Sequence, residues 1–180
     1  MGLSVAALLW GFAEATLFFI VPDVLLSAIA VRRGRAAALR ATGWTVVGAL
    51  LGGALMYRWG AQDLAGAIAA LDRLPAIAPA MIAAAGDELA RSGLVAMAAG
   101  ALSGIPYKIY AVMAPDAGIG LGLFLAASIP ARAVRLILVV LIAAGLNNWL
   151  ARRWSLRRRC VLLAAIWAAF YAAYFGVMPD

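Results

Sequence analysis

Two carboxylates interrupt the first apolar stretch of this chain, and their types and positions could support chemistry. Glu14 and Asp23 lie within residues 3–31, and Asp23 directly follows Pro22. An acidic side chain at the centre of a bilayer costs roughly 2.5–3.5 kcal/mol, so neither is expected to face lipid. Carboxylates in a low dielectric have raised pKa values and can exchange protons near neutral pH. We therefore predict a proton or cation site. The alternatives are a permanent Glu14–arginine pair and a helix cap at Asp23.

Three basic residues lie in later apolar stretches: Lys108, the only lysine of the chain, and the arginines Arg132 and Arg135. Three residues apart, the two arginines share one helix face. Buried arginines there could hold a phosphate, because the guanidinium fork matches its oxygens. Alternatively, these cations reach an interface with their long side chains, or neutralise the two carboxylates. Tyr107, beside Lys108, is a weaker candidate. So is Asp116, which follows a proline in a pattern typical of a turn or a helix cap.

The composition is that of a membrane protein. Hydrophobic residues make up 67% of the 180 residues and charged residues only 13%, whereas a soluble domain carries about a quarter charged residues. The mean hydropathy is +0.99. We predict an all-α polytopic membrane protein with a single domain over residues 1–180.

Several classes of function are excluded or disfavoured by residue content. The chain has no histidine and one cysteine, Cys160, so histidine-based catalysis, histidine metal ligands and an intrachain disulfide are absent. No nucleophile–base pair, metal cluster or phosphate-binding glycine loop is found, and we predict neither an enzyme nor a cofactor or metal site. The formal net charge of +7 comes from 14 arginines and one lysine between apolar runs. They are expected to set topology and meet anionic lipid headgroups rather than bind nucleic acid.

The apolar blocks predict the elements that position these residues. The segment 3–31 would be about 43 Å long as one helix, against a hydrocarbon core of about 30 Å, and Pro22 is expected to break it. We predict a re-entrant hairpin over 3–31, a transmembrane helix over 41–57 and two interfacial amphipathic helices over 62–91. A second re-entrant hairpin is predicted over 93–122, followed by transmembrane helices over 123–150 and 160–178.

The arrangement of basic loops supports this topology. Arginines cluster in 32–40 and in 152–159, while the connection 58–92 has three arginines against four acids. By the positive-inside rule, both clusters should be cytoplasmic and 58–92 outside. The segment 93–122 must then cross an even number of times, but it is too short for two spans of about 20 residues each. A hairpin with its tip near 104–108 satisfies the count. The competing interpretation treats 3–31 and 93–115 as ordinary spans and places one arginine cluster outside.

Over about residues 8–150 the chain resembles the DedA (VTT-domain, SNARE-associated Golgi protein) membrane family. The resemblance lies in EATLFFIVPDVLL, then GALLGGALMYRWG, then GIPYKIYAVMAPDAGI followed by the Arg132/Arg135 pair. It implies two facing re-entrant hairpins, in a multi-pass protein of the bacterial inner membrane. By position, Glu14 would match the acid before the first hairpin tip, Asp23 the acid of that tip, and Lys108 the basic residue of the second hairpin. The chain lacks the family's glycine between proline and acid, and GIPYK replaces an Arg-x-x-Pro-x-x-Arg pattern.

The resemblance implies movement of phospholipid or polyprenyl phosphate between leaflets, coupled to protons. The predicted partners are therefore membrane lipids and protons, with a possible homo-oligomer and no nucleic acid. Two alternatives stay open from the residues alone: a proton- or cation-coupled carrier of a small solute, and a non-transporting membrane scaffold whose buried charges fix helix register.

Overall fold

The structure is a computed structural model that describes residues 2–75, 77–97, 100 and 104–177. Its described elements are helices joined by turns, as an all-α protein requires. In chain order they are α1 (Gly2–Ala15), α2 (Asp23–Arg33), α3 (Arg35–Gln62), α4 (Leu64–Asp72), α5 (Pro79–Ser92), α6 (Tyr107–Met113), α7 (Leu121–Leu150) and α8 (Leu156–Val177).

Within the described ranges, three helices are long and apolar enough to cross a membrane: α3, α7 and α8. They contain the blocks 41–57 and 123–150 and most of 160–178, and α3 extends well beyond its predicted block at both ends. A helix of 30 residues such as α7 is about 45 Å long, more than the hydrocarbon core requires. Large apolar side chains project outward from all three, including Leu51, Ile142 and Ile166. A soluble monomer rarely exposes so much apolar surface, and together with the three candidate spans this indicates a membrane protein.

The first apolar segment is a broken helix, as its proline predicts. The break covers residues 16–22, between α1 and α2, and therefore begins six residues before Pro22. The prediction of a break near Pro22 is confirmed, because the break ends at Pro22, but it extends further towards the N-terminus than predicted, since α1 ends at Ala15. A proline restricts its immediate predecessor and the turn before it. It does not determine where the preceding helix stops, which here depends on contacts from other elements.

α1 lies against α3 at a distance that only glycine permits. A Cβ at Gly48 would overlap the carbonyl oxygen of Leu8, and one at Gly11 would overlap that of Thr45. Small residues at such contacts let membrane helices approach closely. Glycines in GALLGGALMYRWG thus fix the position of α1, and with it the position of Glu14 near its end.

The middle of the chain consists of short helices around a buried cluster. Where 62–91 was predicted to hold two helices, α4 and α5 are found, with Asp63 accepting a hydrogen bond from the Gly66 amide at the start of α4. The second predicted hairpin, 93–122, includes 98–99 and 101–103, which lie outside the described residues. Its described part contains Gly104 with φ +93°, an extended Pro106 and then α6. The side chains of α6 are buried from Tyr107 to Val112.

The α1–α3 contact predicts different outcomes for two glycines of the same helix. Gly48→Ala should destabilise the protein by about 1–3 kcal/mol, because the added methyl forces two backbones apart. Gly43→Ala is the matched control, since a Cβ there meets nothing within 4 Å. Thermal unfolding in detergent measures both. Equal stability of the two variants would contradict the close packing.

Candidate functional site

The charged residues of the apolar segments meet at one cavity of about 290 Å³. Its lining includes Glu14 from α1, Lys108 and Tyr107 from α6, and Arg132 and Arg135 from α7. One wall is aromatic and belongs to α8, with Phe170, Tyr171 and Tyr174. The cavity therefore has charge on one side and apolar or amphipathic rings on the other.

The first ion pair joins α1 to α7. Arg132 donates from Nη2 to Oε2 of Glu14, and both side chains are buried. The guanidinium also lies over the ring of Tyr107, with Cζ 4.7 Å from the ring centroid. That ring is held from its other end, because the Tyr107 hydroxyl donates to Oγ of Ser128 at 2.9 Å. Arg132 is thus fixed by a carboxylate and by an aromatic face.

The second ion pair joins α2 to the same face of α7. Arg135 Nη2 donates to Asp23 Oδ2 at 2.7 Å, with side-chain exposures of 34% for Arg135 and 2% for Asp23. The two pairs therefore differ: Glu14–Arg132 is enclosed on both sides, whereas Arg135 is open to the cavity. Oδ1 of Asp23 and Nε of Arg132 are buried with no hydrogen-bond partner among the described residues. Asp23 makes no side-chain cap for α2, so its observed role is the pair and not the helix cap.

Lys108 connects the second broken segment to the first. Its Nζ donates to the carbonyl oxygen of Phe18, inside the break, at 2.6 Å. Lys108 is 3% exposed and makes no ion pair with a described carboxylate. An ammonium group has three donors, and the Phe18 carbonyl takes one of them. Two donors of this buried cation therefore have no partner among the described residues.

Side chains satisfy other backbone groups of the break as well. Trp10 Nε1 donates to the Ile20 carbonyl at 3.0 Å, and the Val21 amide donates to the Tyr171 hydroxyl at 2.9 Å. Non-helical backbone at membrane depth is tolerated only where protein or water covers it. Side chains from α1, α6 and α8 thus cover three backbone groups of the first break, those of Phe18, Ile20 and Val21.

The structure brings together Glu14, Asp23, Tyr107, Lys108, Arg132 and Arg135. Asp116 is not among them: it is exposed in the turn after α6 and does not line the cavity. Its carboxylate remains solvated there, which explains why a turn residue does not contribute to the site.

Sequence reasoning missed Ser128 and Tyr171. Ser128 was detectable, because it lies one helical turn before Arg132 in a buried stripe with a spacing of four. The stripe consists of Phe124, Ser128, Arg132, Leu136, Val140 and Ala144. Tyr171 carried no such signal: it is one of several aromatic residues near the end of α8, and its partner is a backbone amide 150 residues away.

The formal charges of the site do not cancel. The three cations Lys108, Arg132 and Arg135 are opposed by the two carboxylates Glu14 and Asp23, which leaves one positive charge. An excess positive charge in an enclosed cavity favours an anionic ligand.

Comparisons with protein families, with curated proteins and with solved structures find no match to this chain. The proposals below therefore depend on the geometry of the site and on the residue pattern described above.

Asp23 is more deeply buried than Arg135, which predicts that neutralising Arg135 destabilises the protein more than neutralising Asp23 does. Arg135→Gln should destabilise the protein by about 3–5 kcal/mol, because it leaves the enclosed carboxylate of Asp23 without its cation. Asp23→Asn should cost less, since Arg135 can turn into the cavity. Unfolding in mixed micelles measures the difference.

Asp116→Asn is the control for these two variants, and it should leave stability unchanged because the residue is exposed. A larger loss of stability from Asp23→Asn than from Arg135→Gln would contradict the prediction. It would show that Arg135 is the residue that cannot find another environment when the pair is removed.

Proposed function

We propose that the protein moves a phosphate-bearing lipid between the leaflets of the bacterial inner membrane. The observation that carries the proposal is the buried ammonium of Lys108, which has two donors beyond its carbonyl contact and no carboxylate partner among the described residues. It lines a cavity with a formal excess of one positive charge. Phosphate oxygens accept hydrogen bonds from ammonium and guanidinium groups, so a headgroup fits this lining.

The proposed topology has two re-entrant segments facing each other inside the bilayer. Residues 3–31 enter from the cytoplasm and 93–122 from the opposite side, while α3, α7 and α8 span as a multi-pass frame. This arrangement keeps both arginine clusters cytoplasmic. The Lys108–Phe18 contact supports it, because it joins the described part of the second segment to the break of the first.

The headgroup would pass through the cavity while the chains stay in lipid. At about 290 Å³, the cavity lies at the lower end of ligand pockets, which span about 300–1,000 Å³. It has room for a headgroup but not for acyl or prenyl chains. Phospholipid and polyprenyl phosphate share this headgroup chemistry, and both classes are within the proposal, which agrees with the resemblance to DedA proteins.

Protons would act through the two carboxylates. Protonation of Asp23 removes the charge that holds Arg135, and the freed guanidinium can then bind a phosphate oxygen. The partial exposure of Arg135 supports this role, because its side chain already lies at the cavity. Protonation of Glu14 would release Arg132 in the same way, although that pair is enclosed.

The small cavity also favours a second candidate, a proton- or cation-coupled carrier of a small anionic solute. Such a ligand would use the same cations and would not need an opening towards lipid. The experiment below separates the two, because a carrier translocates the solute and leaves lipid headgroups in their leaflet.

Purified protein in liposomes that carry a fluorescent phospholipid or a labelled polyprenyl phosphate tests the proposal. A membrane-impermeant quencher then reports the movement of label between leaflets. Wild type should move at least one of the two lipids faster than empty vesicles. Lys108→Gln should slow movement about tenfold or more, since a charge-assisted hydrogen bond contributes about 1.5–3 kcal/mol.

Arg91→Gln is the matched control, because Arg91 is exposed on α5 and lies outside the cavity lining; it should behave as wild type. Movement of both lipids no faster than in empty vesicles would overturn the proposal. In that case, uptake of inorganic phosphate would support the solute carrier. If neither lipid movement nor phosphate uptake were observed, the non-transporting scaffold would be the remaining interpretation.

A further inference from the structure

A third acidic residue, Glu88, contacts the cavity wall and is not part of the two ion pairs. Tyr110 lines the cavity and is 1% exposed. Its hydroxyl donates to Oε2 of Glu88, on α5, at 2.8 Å. The space around this hydroxyl is tight, since a Cβ at Gly100 would overlap it. The Tyr110–Glu88 hydrogen bond therefore connects the cavity wall to a helix on the periphery of the molecule.

Glu88 lies at the edge between the buried and exposed faces of α5. Ile82, Ala85 and Leu89 of that helix are buried in the core cluster. Asp87 is exposed and Glu88 is intermediate. Its carboxylate thus has one side against Tyr110 and another towards the surface on which α5 lies. That position gives a proton-exchanging group access to both environments.

Among the described residues, Tyr110 is the titratable group in contact with Glu88. The neighbouring charges of α5, Asp87 and Arg91, are exposed, and Arg91 Nε donates to the Asp87 carbonyl at 3.2 Å. Lys108, Glu14, Arg132 and Arg135 face the cavity and are not in contact with Glu88. The one described polar route from Glu88 into the cavity is therefore the Tyr110 hydroxyl.

We propose that Glu88 is the proton-exchange group between the surface at α5 and the cavity, with Tyr110 as the relay. For an outgoing proton, a hydronium ion in the cavity gives its proton to the Tyr110 oxygen while the hydroxyl proton passes to the Glu88 carboxylate, and a neutral water molecule stays behind. Tyr110 is neutral before and after, Glu88 becomes a carboxylic acid, and the cavity has lost one proton. The reverse sequence loads a proton into the cavity, whose volume of about 290 Å³ has room for several waters.

This inference rests on the proposed function, because a proton route is useful only to a coupled transporter. It goes beyond that function by assigning roles to Glu88 and Tyr110. Neither residue is part of the ion pairs or of the headgroup contacts.

Proton influx into liposomes tests the relay directly. Vesicles containing the protein, its lipids and a trapped pH-sensitive dye receive an inside-negative potential, and the rate of internal acidification is recorded. Glu88→Gln and Tyr110→Phe should each lower the protein-dependent rate about tenfold or more, because a positioned proton-transfer group contributes factors of this size or larger. Asp87→Asn, which neutralises the adjacent exposed acid, should leave the rate unchanged.

A structural role for the hydrogen bond predicts a different pattern. Glutamine keeps an oxygen that accepts from Tyr110, so a purely structural contact would leave proton influx intact in Glu88→Gln. That result, or the absence of protein-dependent influx in wild type, would overturn the proposal. Lipid movement at equal pH on both sides, measured on parallel vesicles, reports on the proposed function separately. We expect Glu88→Gln to retain it.

Discussion

The two ion pairs between the ends of the first break and one face of α7 determine the arrangement of the whole site. Glu14 precedes the break and Asp23 follows it, and each pairs with an arginine three residues from the other. Two helices whose ends are held to the same helix face must bring the intervening residues together. The peptide groups of 16–22 then need partners, and Trp10, Lys108 and Tyr171 supply them.

The two pairs have different consequences because their surroundings differ. Arg132 is enclosed by Glu14 and the Tyr107 ring, so it acts as a fixed point between α1, α6 and α7. Arg135 is partly exposed at the cavity, so once the buried carboxylate of Asp23 is protonated the pair can open without leaving a buried charge unpaired. The enclosed Glu14–Arg132 pair therefore holds α1 and α7 together, whereas the Asp23–Arg135 pair can release its arginine into the cavity. The proposed movement of a headgroup would use both properties in neighbouring residues.

The long helices and the helical break were predictable from sequence, because length, hydropathy and proline determine them locally. The charged residues of the site were also predictable. A charge inside an apolar segment is costly to bury, so it is expected to have a partner or a function there. Asp116 shows the limit of this reasoning: a charge beside a proline in a turn remains solvated and needs no partner.

The pairing and the start of the break could not be read from sequence. Which acid meets which arginine depends on the rotation of α1 and α2 about their axes. The close approach of α1 to α3 at Gly11 and Gly48 sets the rotation of α1. The break begins at Thr16 because tertiary contacts take over the backbone groups that follow. Lys108 makes one of those contacts from 90 residues away. Local propensity contains no information about such partners.

The most direct measurement is the structure of the protein in a lipid nanodisc, at a resolution that shows bound lipid and the bilayer boundaries. We expect residues 16–22 to lie within the hydrocarbon core, with phosphate density within hydrogen-bond distance of Lys108 Nζ. Residues 16–22 at headgroup level, or a Lys108 surrounded by acyl chains alone, would contradict the central claim that this cavity receives a headgroup inside the bilayer.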